Sequence, residues 1–168
     1  MQFRDAVQRV DGGTLLIAIA SMPFKCPPAP YEYAFLVDDA LRQRGVREKV
    51  RLVLTTPEPQ PMPVAGKAVG DAVKGMLAER GIEYLTGHKP KAVDAASRRV
   101  TYENGATLEY ALLAAVPPHR APKGVRDAGL ADASGFVPAE LGTFRAQAPN
   151  VYAVGDVAAI KLPTGSPH

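Results

Sequence analysis

Apolar runs alternate along the chain with amphipathic segments, in the order expected of strands and helices. The continuous apolar run Leu15–Ala20 has the length and composition of a strand that is buried on both faces of a parallel sheet. Tyr31–Arg44 predicts a helix, because Pro30 suits the first helical position. Val50–Thr55 predicts the next strand. In Lys67–Arg80 the apolar residues recur at i, i+3, i+4 and i+7, which predicts a one-faced helix.

The middle of the chain changes to short alternating segments that predict an antiparallel meander around an Asn104-Gly105 hairpin turn. The segments of this meander are Lys91–Asp94, Arg99–Glu103 and Thr107–Glu109. Three further strand patterns are Ile82–Leu85, Ala111–Val116 and Val151–Val154. The order predicts an α/β fold: a Rossmann-like FAD/NAD(P)-binding domain with a parallel sheet, helices on both of its faces, and a small three-stranded antiparallel meander.

Composition and charge narrow the possible functions. With 46% apolar and 22% charged residues, the chain has the composition of an ordinary globular protein. Its 20 basic and 17 acidic residues give a net charge of only +3, and the bases are scattered, so we expect no nucleic-acid partner. No window of 18 apolar residues predicts a membrane span. One cysteine and three dispersed histidines predict no metal site.

The turn after the first strand lacks the chemistry that holds a dinucleotide. A nucleotide-binding unit needs glycines and free backbone amides there, in a G-x-G-x-x-G pattern. Ser21–Pro30 contains no glycine and four prolines, which have no amide hydrogen. The next connection, Pro57–Pro63, is also rich in proline. We therefore expect no NAD(P) at this turn; the alternative is that another turn holds the nucleotide.

A cysteine takes the place of the missing glycines. Cys26 precedes the predicted helix and follows Lys25, a setting that favours a thiolate. It also lies at the end of a strand, where α/β folds bind their ligands. The alternative is a buried structural cysteine, which is common for a lone Cys.

Three segments resemble one family of enzymes. They are Cys-Pro-Pro-Ala-Pro-Tyr-Glu at 26–32, the strand and Pro-Pro-His-Arg-Ala-Pro at 111–122, and the stretch from Thr143 that ends in Val-Gly-Asp at 154–156. In this order they are similar to segments of flavocytochrome c sulfide dehydrogenases and sulfide:quinone oxidoreductases. These belong to the superfamily of FAD-dependent pyridine nucleotide-disulfide oxidoreductases.

Two features of this family are missing from the chain. The G-x-G-x-x-G domain for the ADP half of FAD is not seen, nor is a second redox cysteine. The resemblance therefore implies an internal piece of a longer enzyme. Residues 1–124 would be its central NAD(P)-binding-like Rossmann domain, and residues 125–168 a return segment that leads into the FAD-binding domain.

The resemblance implies roles for two catalytic residues. Cys26 would form half of a redox disulfide beside the flavin, with a partner outside this chain. Glu32 would lie near the flavin and transfer protons. A carboxylate in the first turn of a helix also has a simpler interpretation, favourable electrostatics at the positive end of the helix dipole.

The resemblance also implies cofactor contacts. Asp156 would accept a hydrogen bond from the ribityl chain of FAD, and Gly155 would allow its close approach; the alternative for this pair is an ordinary strand-ending turn. Pro117 and Pro118 would line the cofactor cleft. His119 has no partner that the sequence identifies, so we expect it to be structural or exposed.

The function implied by the resemblance is oxidation of sulfide, or of a related sulfur nucleophile, through a redox disulfide and FAD. The electrons would pass to a quinone or a c-type cytochrome. We expect the isolated chain to be inactive, to hold no FAD and to self-associate through an exposed strand at 151–154. A periplasmic or membrane-peripheral location of the whole enzyme is compatible with the resemblance, and the sequence leaves the compartment, true substrate, electron acceptor and oligomeric state open.

Three alternatives remain. The first is an NAD(P)H-linked FAD oxidoreductase of the same superfamily. The second is a non-catalytic Rossmann-like scaffold or docking module. The third, a nucleic-acid or adaptor domain, is supported only by the mild basicity.

Overall fold

Strand β1 (Gly13–Ile19) lies inside a four-stranded parallel sheet, in a computed structural model that describes residues 3–160. The strand order is β3-β2-β1-β7, so β1 pairs with both β2 (Val50–Thr55) and β7 (Leu112–Val116), and β3 (Glu83–Leu85) forms an edge. Residues 15–19 of β1 are buried, which confirms the strand predicted from the apolar run.

Two long helices connect these strands, close to their predicted bounds. They are α2 (Ala29–Gln43), which carries a proline in its first turn, and α3 (Lys67–Glu79). Two five-residue helices, α1 (Phe3–Val7) and α4 (Lys123–Asp127), were not predicted. Among residues 3–160, no helix has the length and apolar character needed to cross a membrane.

The predicted meander forms a separate antiparallel sheet in the order β4-β5-β6. Its strands are β4 (Pro90–Asp94), β5 (Arg99–Tyr102) and β6 (Thr107–Glu109). Val100 and Tyr102 of β5 are buried in one apolar cluster with Leu16 and Val53 of the parallel sheet. The α/β class, with a parallel sheet and a small antiparallel meander, is confirmed.

An ion cluster around a buried aspartate joins the ends of two helices. Asp38 is fully buried and binds Arg42 (2.9 Å), Arg80 (3.1 Å) and Arg47. Burial alone would raise the pKa of Asp38, but the hydrogen bonds from the three arginines outweigh it and hold the pKa below its ordinary value. Arg47 also donates to the carbonyls of Arg80 (2.9 Å) and Gly81 (2.8 Å), so the cluster fixes the end of α3.

The chain forms two compact units, residues 3–22 with 28–117, and residues 23–27 with 118–160. The first unit holds the two sheets described above. The predicted domain limits, 1–124 and 125–168, concern which domains of a longer enzyme these residues come from, and they stay a prediction. Residues 161–168 of the predicted return segment lie outside the described residues.

In the second unit, β8 (Val137–Pro138) pairs with β9 (Ala158–Ala159) in parallel. The strand predicted at Val151–Val154 is wrong, because this segment makes only a single bridge, between Tyr152 and Arg145. Phe144 and Asn150 have positive φ angles (58° and 60°), and these turns fold the segment back on residues 144–146. Of the four residues only Ala153 is buried, beside Val137 and Ala158.

Candidate functional site

The N-terminus of α2 has few backbone donors to offer. Pro28 precedes the helix without any side-chain cap. The amides of Tyr31 and Glu32 both donate to the Pro28 carbonyl, at 3.1 and 3.0 Å. Pro30 has no amide hydrogen. Of the amides that a pyrophosphate would use at this helix end, two are therefore already bonded within the helix and one is missing at Pro30.

A buried carboxyl group, which the sequence analysis missed, lies just beyond the end of β2. Glu58 is only 1% exposed, and its Oε2 accepts hydrogen bonds from the hydroxyls of Tyr31 and Thr56, the latter at 3.0 Å. The Tyr84 hydroxyl lies 3.3 Å from that of Tyr31. Burial raises the pKa of Glu58, although these hydrogen bonds partly oppose the shift.

The position of Glu58 bears on whether this domain could bind the ribose of a nucleotide. In dinucleotide-binding domains an acidic residue near this point binds the ribose hydroxyls. Here the hydroxyl groups of Tyr31 and Thr56 already donate hydrogen bonds to Oε2 of this carboxyl group, where ribose hydroxyls would otherwise donate. The signal available in the sequence was an acidic residue shortly after a buried strand, in Thr-Thr-Pro-Glu at 55–58.

Cys26 belongs to the second compact unit and is half-buried. Its φ angle of 57° lies in the left-handed region, which is unusual for a residue other than glycine and is characteristic of functional or strained positions. The backbone amide of the preceding residue, Lys25, donates to Nδ1 of His119 at 2.8 Å. His119 is half-buried and therefore has a partner that the sequence did not identify.

The second unit contains a cavity of about 490 Å³. Its lining residues are Lys25, Pro118, His119, Arg120, Ala121, Pro122, Phe136, Asp156 and Val157. Two of the predicted cofactor-binding residues, Pro118 and Asp156, thus lie at one cavity. Asp156 is exposed, and Gly155 before it has a φ angle of 75° in a 3-10 turn, Gly155–Val157.

Lys25 is an anchored cation at this cavity. Its ammonium donates to the Ala158 carbonyl at 3.3 Å and lies 4.5 Å from the centre of the Phe136 ring. Burial lowers the pKa of Lys25, and the negative charge of Asp156 partly offsets this shift. The cavity therefore combines an anchored cation, a carboxylate and an apolar wall.

The other two predicted residues belong to the first unit. Glu32 is exposed on the first turn of α2 and lines a groove of about 580 Å³ with residues of that unit, among them Phe35, Met62 and Arg80. Pro117 is exposed and follows β7. The described part of the chain contains no cluster of three His, Cys, Asp or Glu side chains able to hold a metal ion.

Comparison with known families decides the relationship. The family of the central part of the sulfide dehydrogenase [flavocytochrome c] flavoprotein chain matches residues 3–117. The chain belongs to this family. Its membership confirms the predicted relationship to the flavocytochrome c sulfide dehydrogenase and sulfide:quinone oxidoreductase group of flavoprotein oxidoreductases.

Individual relatives agree with this membership. The mitochondrial sulfide:quinone oxidoreductase of Dictyostelium discoideum is 30% identical over 91% of this chain, and that of Mus musculus is 27% identical over 95%. The solved structure of the sulfide:quinone oxidoreductase from Aquifex aeolicus aligns with 94% of the chain at a TM-score of 0.74 and 25% identity. The chain spans only about a third of these relatives: 34%, 36% and 38% of their respective lengths.

Proposed function

We propose that this chain is the central part of a longer FAD-dependent enzyme that oxidises sulfide through Cys26. The observation that carries the proposal is the setting of Cys26. It follows Lys25, whose ammonium and backbone amide are both anchored at the cavity that contains Asp156. Cys26 itself has a left-handed backbone conformation and is half-buried, so part of its surface stays accessible.

The proposed chemistry begins with a disulfide between Cys26 and a cysteine that lies outside this chain. A hydrosulfide ion attacks one sulfur of the disulfide, so that bond breaks and a new sulfur–sulfur bond forms. The products are a persulfide on one cysteine and a thiolate on the other. Sulfide is thereby oxidised by two electrons, and the electron pair resides on the released thiolate.

The residues of the second unit fit part of a flavin. A cavity of about 490 Å³ has the size of a small-molecule site. The exposed Asp156 carboxylate can accept hydrogen bonds from ribityl hydroxyls, and Gly155 has no side chain to obstruct them. Pro118 would contribute apolar wall. When bound, FAD would supply the acceptor for the electron pair.

We propose that the electrons pass from the flavin to a quinone or a c-type cytochrome. The relatives are named sulfide:quinone oxidoreductases, and the family name includes flavocytochrome c. Glu32, exposed in the first turn of α2, is the proposed site of proton transfer. The alternative, an NAD(P)H-linked enzyme, is disfavoured by two features. The carboxyl group of Glu58 already accepts hydrogen bonds from Tyr31 and Thr56, and the turn at 23–30 is rich in proline.

The experiment is Cys26→Ser in the full-length enzyme. We expect the variant to retain FAD but to lose bleaching of the flavin by sulfide, while dithionite still bleaches it because that reductant needs no cysteine. Bleaching by sulfide at the wild-type rate would show that Cys26 is a structural cysteine.

A further inference from the structure

The backbone at Cys26 requires an anchor. A residue other than glycine keeps a left-handed conformation only where its surroundings hold it there. The segment 23–27 contains no helix or strand, so regular backbone hydrogen bonding does not supply the anchor. We argue that the hydrogen bonds of the neighbouring Lys25 supply this anchor.

Lys25 is fixed at both its backbone and its side chain. The backbone N–H donates to His119 Nδ1 at 2.8 Å, across 94 residues of sequence. The ammonium contacts the Ala158 carbonyl and the Phe136 ring. The His119 contact is the one that acts directly on the main chain next to Cys26.

His119 is itself held in place independently of Cys26. The neighbouring Ala121 is buried, and its amide donates to the Gly135 carbonyl at 2.7 Å. Arg126 Nε donates to the Ala121 carbonyl at 3.0 Å. Pro118 and Pro122 restrict the backbone on either side of this segment. The backbone segment that carries the His119 imidazole is therefore held in place by these hydrogen bonds and prolines.

We propose that His119 is a positioning residue for Cys26, which acts through the backbone amide of Lys25. This role rests on the proposed function of Cys26. Because Nδ1 accepts the hydrogen bond, it carries no proton, and a neutral ring then has its hydrogen on Nε2. His119 fixes the conformation in which the sulfur is presented and does not take part in the bond exchange.

The test uses the fact that the chain has one cysteine, so any thiol reagent reports Cys26 alone. The variants are His119→Asn, which places an oxygen near the position of Nδ1, and His119→Gln, which places it near that of Nε2. The two readouts are the rate of reaction with a neutral pyridyl disulfide and the hydrogen exchange of the Lys25 amide measured by NMR.

We expect His119→Gln to accelerate both readouts by about fivefold, the effect of losing one intramolecular hydrogen bond, and His119→Asn to stay within about twofold of wild type. His119→Leu, which also lacks the acceptor, replaces the Gln variant if the latter does not fold. The matched control is His88→Gln in the first unit, where His88 Nδ1 lies 2.7 Å from the Thr86 carbonyl; it should leave Cys26 unchanged.

The role of His119 is overturned if the acceptor-lacking variant matches wild type, or if the Asn and Gln variants change alike. The pyridyl disulfide reacts with any accessible thiol, so this result does not depend on whether sulfide is the substrate. Failure of the proposed function would appear in experiments with sulfide on the full-length enzyme, such as the flavin bleaching of the Cys26→Ser variant, and not in the thiol reaction.

Discussion

The hydroxyl of Tyr31 offers a sharp test of the buried cluster at Glu58. Tyr31→Phe removes one oxygen atom and leaves the ring, which is 2% exposed. The substitution deletes the donor to Glu58 Oε2 and leaves the Thr56 hydroxyl as the neighbouring side-chain donor. Burial, followed by the hydrogen bond to Glu58, raises the pKa of Tyr31, so the wild-type hydroxyl remains a donor throughout the neutral range.

The expected loss of stability depends on the charge of Glu58. A hydrogen bond between neutral groups contributes about 0.5–1.5 kcal/mol, and one to a charged group about 1.5–3 kcal/mol. Tyr31→Phe should therefore cost about 1 kcal/mol where Glu58 is protonated and about 2 kcal/mol or more where it is ionised. At roughly 2–4 °C per kcal/mol for a chain of this size, the larger value lowers Tm by about 4–8 °C.

The sign of the pH dependence follows from burial. The pKa of Glu58 is raised in the folded protein, whereas in the unfolded chain it stays near the ordinary 4.5. Its contribution to stability is therefore complete below the unfolded value and is lost as pH rises through the folded value. Without the Tyr31 hydroxyl the folded pKa rises further, so the cost of the substitution grows with pH.

The assay is urea unfolding followed by circular dichroism at about pH 4 and about pH 8. Tyr102→Phe is the matched control, because that buried hydroxyl donates to Thr55 Oγ1 at 3.1 Å, a neutral partner. Its cost should be about 1 kcal/mol at both pH values. Tyr33→Phe should cost nothing, since the buried Tyr33 hydroxyl has no partner among residues 3–160. Equal, pH-independent costs for Tyr31 and Tyr102 would refute the reasoning.

Four further predictions follow from the structure and the sequence. Asp38→Ala should cost about 3 kcal/mol, because Asp38 is the fully buried partner of three arginines and Arg47 among them is only 11% exposed. The exposed neighbour Asp39→Ala should change stability by less than about 0.5 kcal/mol. The contribution of Asp38 should disappear as pH falls through its lowered pKa, which urea unfolding at acidic pH measures. NADH and NADPH should show no micromolar binding in calorimetric titration, because the turn at 23–30 has four prolines without an amide hydrogen and no glycine. The purified chain should be colourless, without a flavin absorption band, because the contacts proposed for Gly155, Asp156 and the prolines cover only part of the cofactor. The chain should self-associate through exposed Tyr152 and Val154, and light scattering should show a monomer once residues 150–168 are removed.

The helices and strands that the sequence predicted are those whose formation depends on the residues within each segment. β1 and β2 have apolar runs, and α2 and α3 have long helical periodicity with suitable ends, so neighbouring residues were enough to define them. The five-residue helix α4 is too short to show a periodic pattern. The apolar stretch 151–154 has the composition of a strand, but two left-handed residues before it redirect the chain.

Of the candidate site, the sequence predicted the residues that lie in short motifs but not the hydrogen bonds between them. Cys26, Pro118 and Asp156 were predicted as site residues because short segments resemble a known family, and their roles stay predictions. The hydrogen bonds in both units join residues that are distant in sequence: Lys25 with His119 across 94 positions in the second unit, and Tyr31 with Glu58 across 27 in the first. No local pattern encodes such pairs, since they form only when the strands and helices assemble.

The most direct test of the sulfide-oxidising function is to look for the persulfide itself. The full-length enzyme is treated with sulfide, alkylated and digested with trypsin, which releases Cys26 at the start of the peptide 26–42. If Cys26 is the cysteine that sulfide attacks, mass spectrometry should find one additional sulfur atom on this peptide, removable by a thiol reductant. If sulfide attacks the partner cysteine instead, Cys26 is released as a thiolate and is alkylated directly. If Cys26 neither carries the extra sulfur nor becomes alkylated while the flavin is reduced at the normal rate, Cys26 is not part of the disulfide that sulfide attacks and the proposed role is wrong.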